Sequence, residues 1–310
     1  MKLRKVIFLT YYGPLPVYAS YFFESCKRNA SYTFVIFTDQ RTDGEDQNIR
    51  FVYSTLEAFN KTSTNELGIP IELERPFKVC DLRPAYGEIY RTWIEGFDFW
   101  GFCDMDIILG DLDGKLTDDF LKQVDVYSSK PLWNSGSFSL YRNRPEVNRL
   151  FRATTDWQTV FMAKAYMGFD ECLQRWDGKP VSISKRTTEV LSIYDLIHAD
   201  PGIRAVYDDS VIEWPKDITK LKWSNGAWQH ITAGREFLYF HLLLMKNSWR
   251  FYQPRLDFTK EIFVTGLGLS NHDHTKFAIT GMNWWLSRAI SCLFGITASL
   301  KQKALRRFRS

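Results

Sequence analysis

Along the first third of the chain, apolar runs alternate with stretches in which apolar residues recur at helical spacing. KVIFLT (5–10) reads as a strand, VYASYFFESCKRN (17–29) as an amphipathic helix and YTFVIFTD (32–39) as a second strand. IRFVYST (49–55) predicts a third strand, PAYGEIYRTWIEGF (84–97) contains a helix, and FWGFCDMDIILGDL (99–112) is the next strand. Alternation of this kind implies an α/β fold, a mostly parallel sheet flanked by helices. Ligands of such sheets collect at the carboxyl ends of the strands, so Thr10 to Gly13, Thr38-Asp39 and Asp104 to Asp106 are expected to converge on one crevice. No internal repeat or low-complexity linker interrupts the first 260 residues, which predicts one catalytic-size domain over 1–265.

Composition narrows the function classes. The chain has 310 residues, 45% of them hydrophobic, enough for a large core. Of its formal charge of +4, five positive charges follow residue 300 with no acid among them, so the remainder is close to neutral. A nucleic-acid-binding body would spread Lys and Arg over a face or groove, and this chain does not. The five cysteines are odd in number, far apart and without Cys-x-x-Cys spacing, as in a protein of a reducing compartment. The MKLRK start is followed by too short an apolar run for a secretory signal.

Within the apolar stretch 99–112, Asp104 and Asp106 stand out. An ionised carboxylate leaving water costs several kcal/mol unless it is paired or bound to a cation. On an extended chain, residues i and i+2 share a side, so the two acids make half of a site for a hard cation such as Mg²⁺ or Mn²⁺. The alternative is a strand end with two solvated acids.

The surrounding residues carry a resemblance. FCDMDIILGDL resembles the Asp-x-Asp stretch of nucleotide-sugar-dependent glycosyltransferases of the GT-A fold. KVCDLRPAYGEIY (78–90) looks like the Lys-x-x-Asp-Leu-x-Arg region that precedes it in those enzymes. NSGSFSLYR (134–142) is similar to the Asn-Ser-Gly strand that follows, FDECLQR (169–175) to the acidic segment lining the donor sugar, and HLLLMKNSW (241–249) to a late His…Lys-x-x-Trp element. The five occur in family order, and the chain looks closest to bacterial members associated with surface polysaccharides. Two spacings depart from the pattern: Arg83 directly follows Leu82, and Lys246 lies five residues after His241 rather than six.

The resemblance implies a GT-A, Rossmann-like catalytic domain and a role for each matched residue. Asp104 would contact ribose or metal, Asp106 and His241 would be metal ligands for Mn²⁺ or Mg²⁺, and Lys246 would meet the diphosphate. Lys78, Asp81, Arg83, Asn134, Ser135 and Gly136 would line the donor, with Arg83 clamping a hydroxyl or phosphate or pairing with Asp81. Thr10, Tyr11 and Asp39 would hold the base and ribose of a nucleotide sugar, a UDP-sugar in this reading. Asp170 and Glu171 are the catalytic candidates, as base in an inverting enzyme or as donor-positioning acids in a retaining one, and the resemblance favours retention. A helix N-terminus would account for the same two acids.

Residues 266–310 predict an amphipathic helical tail: Trp285, Ala289, Leu293, Ile296 and Leu300 fall near one face and a basic cluster follows. The stretch is too short and too polar to span a bilayer, and it reads either as an in-plane membrane helix or as one packed on the core. The expected partners are a nucleotide sugar, a glycan or lipid-linked glycan acceptor and an anionic membrane surface, with no nucleic acid. The expected location is cytoplasmic, peripheral to the inner membrane. The alternatives are a sugar-phosphate transferase and a non-catalytic carbohydrate- or membrane-binding protein on the same fold.

Overall fold

The computed structural model describes residues 2–41, 47–172, 190–213, 221–243, 246, 256–265 and 268–271. The expected tail helix lies outside the described residues. In chain order the strands are β1 (Lys5–Tyr11), β2 (Tyr32–Thr38), β3 (Ile49–Tyr53), β4 (Phe99–Cys103), β5 (Ile107–Leu109), β6 (Val126–Ser128), β7 (Phe138–Arg142) and β8 (Ala205–Tyr207). They continue as β9 (Val211–Ile212), β10 (Leu221–Ser224), β11 (Ala227–His230), β12 (Glu236–Phe237), β13 (Tyr239–His241), β14 (Ile262–Thr265) and β15 (Gly268–Ser270). The chain divides into two compact units, one of residues 1–15, 26–105 and 112–210, the other of 16–25, 106–111 and the described residues from 211 onward.

The first unit is mixed α/β, built on a seven-stranded sheet ordered β3-β2-β1-β4-β7-β6-β8. The pairs β1–β2, β2–β3, β1–β4 and β6–β8 are parallel, and only β7 runs against its neighbours. The central strands are buried on both faces, which explains why they read as continuous apolar runs rather than as alternations. Val6, Phe8, Val35, Phe37, Trp100 and Phe102 pack on one face with Phe59, Tyr86 and Tyr90, while Ile7, Leu9, Phe34 and Ile36 are buried on the other. The Trp100 and Tyr141 rings, facing each other in the β4–β7 register, stack with centroids 4.6 Å apart.

The expected helix over 17–29 is observed as α1 (Ala19–Lys27). A second helix, α2 (Leu56–Leu67), had not been expected. The Thr55 hydroxyl caps it by accepting the Ala58 amide at 3.1 Å, and Gly68, at φ 74°, ends it in the left-handed conformation. The helix expected within 84–97 is a correction of a different kind. A ten-residue 3₁₀ segment, Pro76–Ala85, comes first, and only Tyr86–Ile89 is α-helical. Pro84 lacks an amide to donate and disfavours the α conformation at Arg83, so a regular helix cannot run through.

The stretch 99–112 is also not one strand. β4 ends at Cys103, the chain turns at Met105-Asp106, and β5 joins a different sheet, so the i,i+2 geometry of a single extended strand does not apply across Asp104-Met105-Asp106. The second unit holds a five-stranded sheet, β12-β11-β10-β14-β15, and a three-stranded sheet, β5-β13-β9. Its core gathers Ile108, Trp223, Trp228, Phe240, Phe258 and Ile262. β15 pairs antiparallel with β14. No helix among the described residues is long and apolar enough to cross a membrane.

Candidate functional site

In the first unit the carboxyl ends of the parallel strands carry three of the expected segments on one edge of the sheet. The ends of β1 and β2 are tied together: the Asp39 carboxylate accepts the Gly13 amide at 2.8 Å and the Gln40 side-chain amide at 2.8 Å. The hydrogen bond from Gln40, with that from Gly13, holds the Asp39 carboxyl below its ordinary value. Thr10 Oγ1 lies 3.0 Å from the Tyr90 hydroxyl, and Tyr11 donates its hydroxyl to the Pro14 carbonyl at 3.4 Å.

At the end of β4, Asp104 meets Arg83. The rigid 3₁₀ segment delivers three expected residues, and they do different things. Lys78 and Asp81 are 1% and 0% exposed. Lys78 Nζ donates to Asp81 Oδ2 at 2.7 Å and to the Val160 carbonyl at 2.7 Å, while the Asp81 oxygens accept the amides of Phe169 and Met167 at 2.7 and 2.8 Å. The structure therefore sets this pair beneath the surface as an anchor for the loop at 166–171. Arg83 does not pair with Asp81, whose oxygens are already taken. Its guanidinium donates instead to Asp104 Oδ1 at 2.5 Å, to the Gly136 carbonyl at 2.7 Å and to Asp170 Oδ2 at 3.3 Å.

Around Arg83 other expected residues of this unit converge. Asn134, on the loop into β7, donates to the Asp170 carbonyl at 2.6 Å and accepts the Tyr141 hydroxyl at 3.3 Å, which joins the loop to the aromatic stack of the core. Ser135 is used structurally: its amide donates to Ser128 Oγ, its hydroxyl accepts the Phe138 amide, and its carbonyl accepts Ser139 Oγ. Gly136 donates its amide to Glu171 Oε1 at 3.2 Å. Tyr166, which the sequence did not single out, donates its hydroxyl to Asp170 Oδ1 at 2.8 Å. Burial pushes the Asp170 carboxyl well above its ordinary range; Arg83 opposes this and the neighbouring Glu171 charge adds to it. The result is two acids, Asp104 and Asp170, on one guanidinium, with Glu171 beside them on the Gly136 amide.

Gly136 is tightly fitted against the two acids. A Cβ there would lie 3.1 Å from both Asp170 Oδ2 and Glu171 Oε1 and 3.2 Å from Glu171 Cγ. Gly136→Ala is expected to displace both acids, to lower activity at least tenfold and to leave the global fold standing. Activity and melting temperature, measured together on this variant, check it.

In the second unit the register of the three-stranded sheet builds another polar centre. His241 ends β13, and its ring Nε2 lies 3.3 Å from Asp106 Oδ2 while Nδ1 lies 2.6 Å from Glu213 Oε1. Lys246 Nζ donates to the same Asp106 Oδ2 at 2.7 Å. Burial alone would raise the Asp106 carboxyl, but His241 and Lys246 overcome it and hold the acid well below the usual carboxylate range. Burial likewise lowers the imidazole, yet its hydrogen bonds to Asp106 and Glu213 lift it to about 9. Glu213 gave no signal in the sequence.

The donor set of this second centre suits a divalent first-row ion. Bonds of roughly 2.1 Å place adjacent ligands on the order of 3 Å apart, close to the Oδ2–Nε2 separation, and one carboxylate oxygen with one imidazole nitrogen is a set such ions accept.

These features define a mixed α/β protein with clustered carboxylates at the carboxyl edge of a mostly parallel sheet. The chain belongs to a family of unknown function (DUF6625), which matches residues 7–265. No curated protein matches it. Among solved structures it is similar to the galactosyltransferase LgtC in complex with donor and acceptor sugar analogues, at 12% identity and a TM-score of 0.37, covering 68% of this chain and 76% of that one. It is similar to the apo form of the glycosyltransferase GlyE of Streptococcus pneumoniae, at 10% identity and a TM-score of 0.36, covering 67% of this chain and 46% of that one. It is also similar to apo mouse xyloside xylosyltransferase 1, at 6% identity and a TM-score of 0.41, covering 78% and 97%.

Proposed function

We propose that the chain is a metal-dependent glycosyltransferase of the GT-A type that moves a sugar from a nucleotide sugar, a UDP-sugar in this reading, to a glycan or lipid-linked acceptor of the cell surface. The observation that carries the reading is the setting of Asp106. A carboxylate with 9% of its side chain exposed is kept ionised by His241 and Lys246, and a divalent ion bound there would take over that charge balance as His241 gives up its proton and Lys246 turns to the diphosphate. Asp106 and His241 are the proposed ligands within the second unit, Asp104 is proposed as a ligand from the sequence motif alone, and carboxylate and imidazole donors suit Mn²⁺ or Mg²⁺. The ordered motifs from Lys78 to Lys246 support the same reading.

A divalent ion held there would supply Lewis acidity toward the leaving diphosphate. The chain does the rest. Lys246 moves from Asp106 to a phosphate oxygen and adds a point charge there. Arg83, rigidly held, orients Asp104 and Asp170, and Glu171 is placed to accept a donor-sugar hydroxyl. Thr10, Tyr11 and Asp39 hold the nucleoside. Lys78 and Asp81 act from below by fixing the loop that carries Asp170. Retention of anomeric configuration is the favoured course, with Asp170 and Glu171 positioning the donor. The segment 266–310 would keep the enzyme at the cytoplasmic face of an anionic membrane, beside a lipid-linked acceptor.

A thermal-shift series tests the binding step. A UDP-sugar at ~100 times its dissociation constant, with Mn²⁺, is expected to add ~2.7 kcal/mol of stability, and far less with EDTA. No shift with any UDP-sugar in either condition would contradict the reading.

A further inference from the structure

The three-stranded sheet places three polar residues in a row. β13 pairs in parallel with β9, Tyr239 opposite Val211 and Phe240 opposite Ile212, so the next step of the register sets His241 beside Glu213. On its other side β13 pairs antiparallel with β5, His241 opposite Ile107, and the Leu242 amide reaches the Asp106 carbonyl at 2.7 Å. His241 therefore stands between two carboxylates that backbone pairing brings to it, 28 residues behind and 135 residues behind in the chain. Only the nearer of the two contacts is short: 2.6 Å from Nδ1 to Glu213, against 3.3 Å from Nε2 to Asp106.

From this row we infer that Glu213 is the positioning residue of His241, which it fixes with Nδ1–H donated to Glu213 and Nε2 directed at the cation shared with Asp106. The inference rests on the metal-dependent reading above. A histidine can bind an ion through one ring nitrogen only when the proton sits on the other, and a carboxylate on that other nitrogen selects the tautomer, stops the ring from turning and raises its basicity. Glu213 meets the geometric requirement: its carboxylate is mostly buried, 13% exposed, and it lies at the far side of the ring from Asp106. Ring orientation here follows from strand register, with His241 at the end of β13, Glu213 one residue beyond β9 and Asp106 one residue before β5, so the site is preorganised before an ion arrives.

The test uses the full chain and Mn²⁺ alone, without donor. Free Mn²⁺ is followed by electron paramagnetic resonance through a titration, and the bound ion's coupling to imidazole nitrogen is read by spin-echo modulation. Wild type is expected to bind one Mn²⁺ with a nitrogen coupling. Glu213→Ala should bind 10- to 100-fold more weakly with the coupling lost or diminished, since outer-partner substitutions have effects of that size. Glu213→Gln, isosteric and still able to accept the Nδ1 proton, should fall between them with the coupling retained. A merely structural role would lower the melting temperature and leave the nitrogen coupling of the folded protein as it was. Equal affinity and equal coupling in wild type and both variants would overturn the inference while leaving the metal site standing. Should Glu213→Ala not fold, a Glu213→Gln protein matching wild type within twofold would overturn it alone. A wild type that binds no Mn²⁺, or binds it without nitrogen, would instead bring down the reading of the site and the inference with it.

Discussion

Asp106→Asn is expected to lower nucleotide-sugar turnover on the order of 10³-fold, the scale at which removal of a single charge-stabilising group acts, and to abolish the Mn²⁺ dependence of donor binding. Asparagine keeps the size of the side chain and one acceptor oxygen. It loses the negative charge on which His241, at 3.3 Å, and Lys246, at 2.7 Å, both converge. The fold should survive, because Lys246 is partly exposed and can turn to water and His241 can shed its proton and keep Glu213. Turnover with Mn²⁺ and with EDTA, alongside circular dichroism of the variant, checks both halves. Turnover within tenfold of wild type in EDTA would contradict the assignment.

The largest effect on stability is expected at Asp81. Asp81→Ala leaves Lys78, 1% exposed, with only the Val160 carbonyl, and leaves the amides of Met167 and Phe169 without their acceptor. Breaking a buried ion pair from one side costs about 3–5 kcal/mol, because the surviving charge stays desolvated. Urea unfolding should show a loss of that size, and the double variant Lys78→Met/Asp81→Leu should recover much of it by removing both charges together. A single-variant loss under about 1 kcal/mol would contradict the burial argument. The same substitution should loosen the loop bearing Tyr166, Asp170 and Glu171, so catalysis suffers at temperatures where the chain is still folded.

The contrast between Asp81 and Asp106 shows where sequence reasoning reached and where it stopped. Runs such as KVIFLT and YTFVIFTD announced β1 and β2 because a sheet covered on both faces demands unbroken apolar stretches, and their parallel pairing followed from the helix between them. The same logic misled at 99–112. Two apolar runs separated by Asp-Met-Asp read as one strand, since nothing in the local pattern says that β5 pairs with β13, more than 125 residues further on. α2 was missed although its signals were present: Thr55 before the helix and Gly68 after it bracket a segment whose apolar face is only Phe59 and Leu67 deep.

At the site, the motif residues were legible as a set and their individual environments were not. Lys78 and Asp81 carry residue types that suit a phosphate and a hydroxyl, yet the i,i+3 geometry of the 3₁₀ segment turns them on each other and into the interior. That exchange frees Arg83 for Asp104 and Asp170, partners 21 and 87 residues away. Glu213 had no motif to mark it. It matters through the register of two short strands, and a pairing of two residues leaves almost no trace in composition or periodicity.

The central claim is that this chain cleaves a nucleotide sugar at a metal-held diphosphate. Release of UDP from a panel of UDP-hexoses by the full chain, without acceptor, tests it most directly. The account predicts slow release from at least one donor in Mn²⁺, loss of release in EDTA and its return when Mn²⁺ is restored. No release from any donor in Mn²⁺, or release that EDTA leaves unchanged, would contradict it.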